Sequence, residues 1–188
     1  MAQQERARRT REQALDAAAA EFSAHGYAHT TLGAVAGRIG MTKGALYGHF
    51  PSKDHLAEAV VHYARDRWTR TADSAAAGPA TPLVTLGRLV RELARLRRTD
   101  ARTGAALRLA ADAIASGTPG PNLLLDVRAQ LGALVRGAQE RGEITGKFPA
   151  VVIVELLLAV ILAAPCPSRP ATSWVDAVWE LFEDSLRP

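Results

Sequence analysis

The chain of 188 residues is 48% hydrophobic and 22% charged, which is ordinary for a folded globular protein and excludes wholesale disorder. Its one cysteine, Cys166, excludes an intramolecular disulfide framework and any multi-cysteine metal site. Basic and acidic residues number eight and six over residues 1–65, nine and four over 66–110, and six and nine over 111–188. This basic front and acidic back permit a polyanionic partner without requiring one.

The spacing of apolar residues predicts an all-α fold of nine helices with no strand. The expected helices span residues 4–24, 32–39, 43–49, 53–75, 82–98, 102–115, 122–141, 149–164 and 172–186. Gly26 is expected to stop the first helix, Thr31 to cap the second and Ser52 to cap the fourth. Segments 116–121 and 165–170 are rich in proline and are expected to be loops.

Two of these helices are short, and the linker Gly40-Met41-Thr42 gives them the proportions of a helix-turn-helix. The apolar inner face expected to set their angle consists of Val35, Ile39, Ala45, Leu46 and Phe50. The second short helix is too polar to be core, and its hydroxyl, ammonium and phenol groups can contact phosphates and base edges. Its outward side chains are expected to be Thr42, Lys43, Tyr47 and His49. Small Gly44 and Gly48 would let it approach a surface closely.

The run from Gly33 to Leu56 closely resembles the DNA-binding signature of the TetR family of transcriptional regulators, and the likeness extends over about residues 8–62. The resemblance implies a DNA-binding domain at residues 1–51 and a ligand-binding and dimerisation domain at residues 52–188. It implies a cytoplasmic homodimeric repressor that binds a pseudo-palindromic operator in double-stranded DNA and is released by a small hydrophobic or amphipathic effector. The DNA contacts that it assigns are Thr31, Thr42, Lys43, Gly44, Tyr47, His49 and Lys53.

Within that family, residues 42–47 and 56–61 look most like the γ-butyrolactone receptors of actinobacteria. Val127 stands where those receptors carry a pocket tryptophan, so an effector of another class stays open. We expect a mostly apolar effector pocket among the central helices. Its expected lining is Trp68, Leu86, Leu89, Val90, Leu93, Leu107, Ile114, Leu124, Val127 and Leu131.

The last two helices are the most apolar part of the chain. Residues 151–164 are apolar on nearly all sides, and the final helix is apolar on more than one face, so both need partners that bury them. Together they predict a four-helix interface between two copies of the chain. The expected interface residues are Val151, Val154, Leu158, Ile161, Trp174, Val178, Trp179 and Phe182. Because residues 151–164 include Glu155 and are too short to span a bilayer comfortably, no membrane partner is expected.

Other readings of the chain remain open at this point. Arg6, Arg8, Arg9 and Arg11 are expected either to reach the DNA as an N-terminal arm or to form a solvated first turn. A regulator without an effector is the second hypothesis, and an enzyme on a helical scaffold is the third. No catalytic residue or cofactor is expected, because the chain has no nucleophile motif and no glycine-rich phosphate loop. The five histidines lack metal-ligand spacing, so no metal is expected.

Overall fold

The computed structural model describes residues 2–118, 122–162 and 171–187, which form nine α-helices and no strand. The helices are α1 (Ala2–His29), α2 (Leu32–Arg38), α3 (Lys43–Tyr47), α4 (Lys53–Ala76), α5 (Pro82–Thr99), α6 (Ala101–Ser116), α7 (Leu123–Glu140), α8 (Ala150–Leu162) and α9 (Ala171–Ser185). The predicted all-α class is therefore confirmed. The loop expected at 165–170, Cys166 and the expected end of the eighth helix at residue 164 lie outside the described residues.

The first helix differs most from its prediction. Gly26 leaves helical geometry, with φ at 71° and ψ at 178°, but helical turns resume and α1 ends only at His29. Positive φ is a conformation that glycine adopts without strain, which explains why the turn falls there. The turn also directs the N–H of Tyr27 to the carboxylate of Asp112 in α6, at 3.1 Å, so a side chain replaces a helical partner.

The chain divides into two compact units, residues 1–67 with 97–123 and residues 68–96 with 124–188. In the first unit, α6 packs along α1, which explains why residues from the middle of the sequence join those of the N-terminus. This division follows packing, whereas the predicted boundary between residues 51 and 52 concerns function and stays a prediction.

The helix-turn-helix packs on a small apolar core in the first unit. Val35, Leu46 and Phe50 are each at most 1% exposed, as predicted for the inner face. Ile39 is half-buried. Ala45 is predicted on the inner face as well, but it is exposed, because consecutive residues lie about 100° apart around a helix and Leu46 alone of α3 is buried. The burial of Leu46 fixes which side of α3 faces outward.

The second unit has a core in which α5 and α9 make one very close contact. An added Cβ at Gly87 would lie 2.8 Å from two ring atoms of Trp179. The guanidinium of Arg91 lies 5.5 Å from the centre of the same ring and binds Asp176 at 2.7 Å. Glycine at position 87 therefore allows the indole to lie directly on the backbone of α5.

The structure places several predicted interface residues inside a single chain. Four of them are at most 3% exposed, which corrects the expectation that they face a second copy: Val154, Leu158, Ile161 and Trp179. Three more are half-buried: Trp174, Val178 and Phe182. Helix α8 is apolar all round, so its sequence pattern could not distinguish the inward face from the outward one. The outward apolar residues are Val151, Val152 and Leu156, with Leu181 on α9, and they are 44–67% exposed.

No helix within the described ranges is long and apolar enough to cross a bilayer.

We expect Gly87→Ala to lower the free energy of unfolding by about 1–3 kcal/mol, because the new methyl group would displace the Trp179 ring. The matched control is Gly37→Ala in α2, where an added Cβ meets no atom within 4 Å. That control should gain roughly 0.5–1 kcal/mol from helix propensity. Urea denaturation followed by circular dichroism measures both values, and equal effects of the two variants would contradict the close contact.

Candidate nucleic-acid interface

Each helix of the helix-turn-helix begins at a threonine whose hydroxyl caps it. Thr31 Oγ1 accepts a hydrogen bond from the N–H of Ala34 at 3.1 Å at the start of α2. Thr42 Oγ1 accepts one from the N–H of Ala45 at 3.2 Å at the start of α3. Between the two helices, Gly40 has φ at 67°, and the N–H of Met41 donates to the carbonyl of Ala36 at 2.9 Å. These local bonds confirm the predicted cap at Thr31 and the predicted tight turn, and they add a cap at Thr42.

The exposed residues of α3 and its cap are mostly polar. Thr42, Lys43 and Gly44 are exposed, and Tyr47 is 43% exposed. The ammonium of Lys43 lies 5.7 Å from the centre of the Tyr47 ring, so the two side chains share one surface. An added Cβ at Gly44 would meet nothing within 4 Å, which means that packing within the chain does not require glycine there. Thr31 is exposed as well. The structure thus leaves these predicted contacts available to a partner.

His49 lies behind this surface rather than on it. The side chain is half-buried, and its carbonyl accepts a hydrogen bond from the guanidinium of Arg11 at 3.2 Å. Arg11 also stacks over Phe50, with 4.4 Å from the guanidinium carbon to the ring centre. Arg6, Arg8 and Arg9 lie on α1 and are exposed, and Arg8 pairs with Glu5 one turn away. The basic N-terminus is therefore helical, as predicted, and contact of these arginines with DNA stays a prediction.

Lys53 was expected to contact DNA phosphate, but its ammonium is already engaged within the chain. It donates to the carbonyl of Tyr27 at 2.8 Å and to that of Ala28 at 3.3 Å. It also lies 4.3 Å from the centre of the Tyr27 ring. The carbonyls lie at the end of α1, beyond the turn at Gly26. Lys53 therefore ties the start of α4 to the end of α1.

Tyr27 is the residue that the sequence reading missed at this junction. Its hydroxyl donates to Asp54 in α4, its N–H donates to Asp112 in α6, and its ring stacks on Phe22 at 6.2 Å. Burial, and then the hydrogen bond and negative charge of Asp54, raise the pKa of Tyr27 to about 12. The sequence signal for this role is a tyrosine directly after a glycine at a helix end. It does not identify the hydrogen-bond partners, because Asp54 and Asp112 lie far away along the chain.

A second missed residue, Arg102, joins the other end of α6 to α1. Its side chain is only 9% exposed, and it binds Glu12 at 2.7 Å and Asp16 at 2.8 Å. Its guanidinium also stacks over Tyr63 at 4.7 Å. Burial alone would lower the pKa of Arg102, but the hydrogen bonds and charges of Asp16 and Glu12 outweigh it and raise that pKa. Arg102 thus ties α6 to α1, and the two carboxylates of α1 balance the charge of its guanidinium.

Known proteins share this arrangement. Residues 14–60 match the model of the TetR-family bacterial regulatory proteins. The A-factor receptor protein of Streptomyces griseus is 32% identical over 85% of this chain and 55% of the relative. A solved structure described as the molecular basis for control of antibiotic production by bacterial hormones is 31% identical, covers 96% of this chain and 98% of the other, and has a TM-score of 0.74. The chain belongs to the TetR family.

A solved structure of another TetR-family protein, CprB from Streptomyces coelicolor, was determined in complex with its operator sequence. It is 27% identical, covers 97% of this chain and 90% of the other, and has a TM-score of 0.82. These relatives are described as regulators and receptors, not as enzymes. The chain spans about half the length of the curated relatives that it matches.

The predicted effector residues of this TetR-family chain lie in both compact units. Leu107 and Ile114 belong to the first unit, and Ile114 is 51% exposed, which removes it from any buried lining. The other eight belong to the second unit and are at most 3% exposed: Trp68, Leu86, Leu89, Val90, Leu93, Leu124, Val127 and Leu131. In the part of the chain that the structure describes, no three His, Cys, Asp or Glu side chains come close enough to hold a metal ion.

Tyr27 should give the TetR-family chain a pH-dependent term in its stability. Its pKa of about 12 in the folded state lies above the ordinary value of 10. The contribution of the neutral phenol is therefore complete below pH 10 and is lost as pH rises toward 12. We expect the difference in unfolding free energy between the wild type and Tyr27→Phe to shrink over that window in urea titrations.

The control for this measurement is Tyr47→Phe, which removes an exposed phenol from α3. It should not reproduce the trend, and a difference for Tyr27→Phe that stays constant up to pH 12 would contradict the raised pKa of Tyr27.

Proposed function

We propose that the protein is a cytoplasmic homodimeric transcriptional repressor that reads double-stranded DNA with α3. The observation that carries the proposal is the two-sided character of this helix. Leu46 is buried and anchors α3 in the core, while Thr42, Lys43, Gly44 and Tyr47 are exposed. A short helix held in this way is the element that helix-turn-helix proteins insert in the major groove.

The exposed groups match what a DNA groove offers. The ammonium of Lys43 can contact phosphate oxygens or the acceptor edge of guanine, and the hydroxyls of Thr42 and Tyr47 can donate or accept at phosphates and bases. Gly44 leaves room for the helix backbone to approach the duplex, since no neighbouring atom occupies the place of its missing side chain. The operator complex described for CprB supports the same use of the fold.

A homodimer is proposed because the second unit leaves apolar side chains uncovered. Val151 and Val152 on α8 are 65% and 44% exposed, and Leu156 is 60% exposed on the same helix. Leu181 on α9 is 67% exposed. Exposed apolar residues on two helices that are consecutive in the sequence suit a contact with a second copy of the chain. The resulting dimer would present two recognition helices to a pseudo-palindromic operator.

An effector is proposed for the second unit. The indole N–H of Trp68 is buried and has no hydrogen-bond partner in the described part of the chain. Buried donors in proteins are nearly always paired, so an oxygen acceptor on a mostly apolar small molecule is the partner that we propose. Receptor relatives such as the A-factor receptor protein support a small-molecule effector without defining its class.

The DNA proposal is tested by selecting duplexes from a random-sequence pool with the purified protein. We expect enrichment of sequences with two-fold symmetry, because two recognition helices would read two half-sites. Lys43→Ala should weaken binding to the selected duplex by about tenfold or more, since one contact on each protomer is lost. Its fold should be intact because the side chain is exposed.

The matched control is Lys147→Ala, which removes another exposed lysine from the second unit. It should bind the selected duplex with unchanged affinity. Failure to enrich any sequence, or equal losses in the two variants, would contradict the proposed use of α3.

The dimer proposal is tested by sedimentation velocity of the double variant Leu156→Asp and Leu181→Asp. Both side chains are largely exposed in one chain, so the variant should fold, but two buried carboxylates on each protomer should prevent association. Leu125→Asp on α7, where the leucine is 61% exposed, is the control and should remain dimeric. A dimer that persists in the double variant would place the interface elsewhere.

A further inference from the structure

A groove of about 580 Å³ opens on the first unit, and no residue of α3 lines it. Five of its lining side chains are basic in type: Arg11, His49, His55, His62 and Arg65. Glu58 is the one carboxylate among the lining residues. This volume is typical of small-molecule sites. Neither the DNA-facing surface nor the proposed effector residues account for a groove of this composition.

Arg11 is held in a fixed position at one end of this Arg–His groove. Its guanidinium stacks over Phe50 at 4.4 Å and donates to the carbonyl of His49 at 3.2 Å. A guanidinium has five N–H donors, so most of its donors remain for a further acceptor. Because the ring and the carbonyl already fix the side chain, little conformational entropy would be lost when an anion binds.

His55 is held next to the groove by two contacts with Ser52. Ser52 Oγ accepts the backbone N–H of His55 at 3.2 Å and lies 2.9 Å from His55 Nδ1. When the hydroxyl of Ser52 donates to Nδ1, the proton of the imidazole lies on Nε2. In that tautomer His55 presents an N–H donor at Nε2.

The other lining residues define the chemical class of the occupant. Pro51 and Ala59 add apolar surface, and Arg65 adds a second guanidinium. We propose that the Arg–His groove binds a small organic anion, a phosphate monoester or a carboxylate joined to an aromatic ring or short aliphatic chain. The anion pairs with Arg11 and His55 through charge-assisted hydrogen bonds, and its apolar part covers the carbon surface. The site is separate from the effector residues of the second unit.

The groove is linked to the DNA-facing helix through Arg11. The carbonyl that Arg11 binds belongs to His49, two residues after α3 ends at Tyr47. An anion bound to Arg11 would therefore use the same guanidinium that donates to the carbonyl of His49. Occupation of the groove therefore acts on the segment that follows the recognition helix, and it needs no movement in the second unit.

The test is calorimetric titration of the purified, DNA-free protein with phenyl phosphate. Inorganic phosphate and benzyl alcohol serve as probes of the anionic and apolar parts alone. We expect phenyl phosphate to bind more tightly than either. Arg11→Gln and His55→Gln should each weaken it by about tenfold, as expected when one charge-assisted hydrogen bond is removed.

Matched controls exist for both variants on the same unit. Arg8→Gln removes an exposed arginine from α1, and His29→Gln removes an exposed histidine, and neither residue lines the groove. Both controls should bind phenyl phosphate like the wild type, and all four variants should show a cooperative thermal transition above the temperature of the titration. No saturable binding of phenyl phosphate up to millimolar concentration, or equal losses in variants and controls, would overturn the proposal.

A second measurement distinguishes a free anion from a phosphate of the DNA backbone. The slope of log K against log salt is measured for duplex DNA with the wild type and with Arg11→Gln. If Arg11→Gln reduces the magnitude of this slope by about one for each protomer bound, the anion is a phosphate of the DNA backbone. An unchanged slope together with weaker phenyl phosphate binding would assign it to a free small molecule. Since the calorimetry needs no DNA, it stands even if the proposed operator binding fails.

Discussion

The left-handed turn at Gly26 is the constraint on which the first unit depends. Because the backbone leaves helical geometry there, the N–H of Tyr27 meets Asp112 of α6 while the carbonyls of Tyr27 and Ala28 accept the ammonium of Lys53 in α4. Three helices thus meet at two consecutive residues. A side chain at position 26 would place its Cβ 2.7 Å from Asp112, so the turn needs glycine for both its φ and its space.

This junction separates the residues that shape the DNA-binding unit from those that would touch DNA. Lys53 and Tyr27 make their contacts within the chain. Lys43 and Tyr47, in contrast, lie next to each other on the exposed surface of α3. Arg102 has a similar structural role at the far end of α6, where two exposed carboxylates balance its buried charge. Recognition residues can then be exchanged at little cost in stability, because the packing of α3 rests on Leu46.

Local features of the sequence predict much of this structure. Thr31 and Ser52 are predictable as caps because a cap involves only the next few residues. The predicted helix ends agree to within two residues outside α1 where the structure describes them. The role of Lys53 was not predictable, since its acceptors lie 25 and 26 residues away and exist only because of the turn at Gly26. The buried face of α8 was also hidden, because a helix that is apolar all round carries no periodic signal.

Lysine is rare in this chain, and each lysine has a different environment. Arginine supplies twenty of the 23 basic residues, so Lys43, Lys53 and Lys147 are the only side-chain amines. Lys43 is exposed on α3, Lys53 donates to two carbonyls at the Gly26 turn, and Lys147 is exposed in the second unit. Amine-selective labelling read by mass spectrometry would thus resolve three positions without any engineered probe: one for occupation of the recognition surface, one for integrity of the turn, and one as an internal reference.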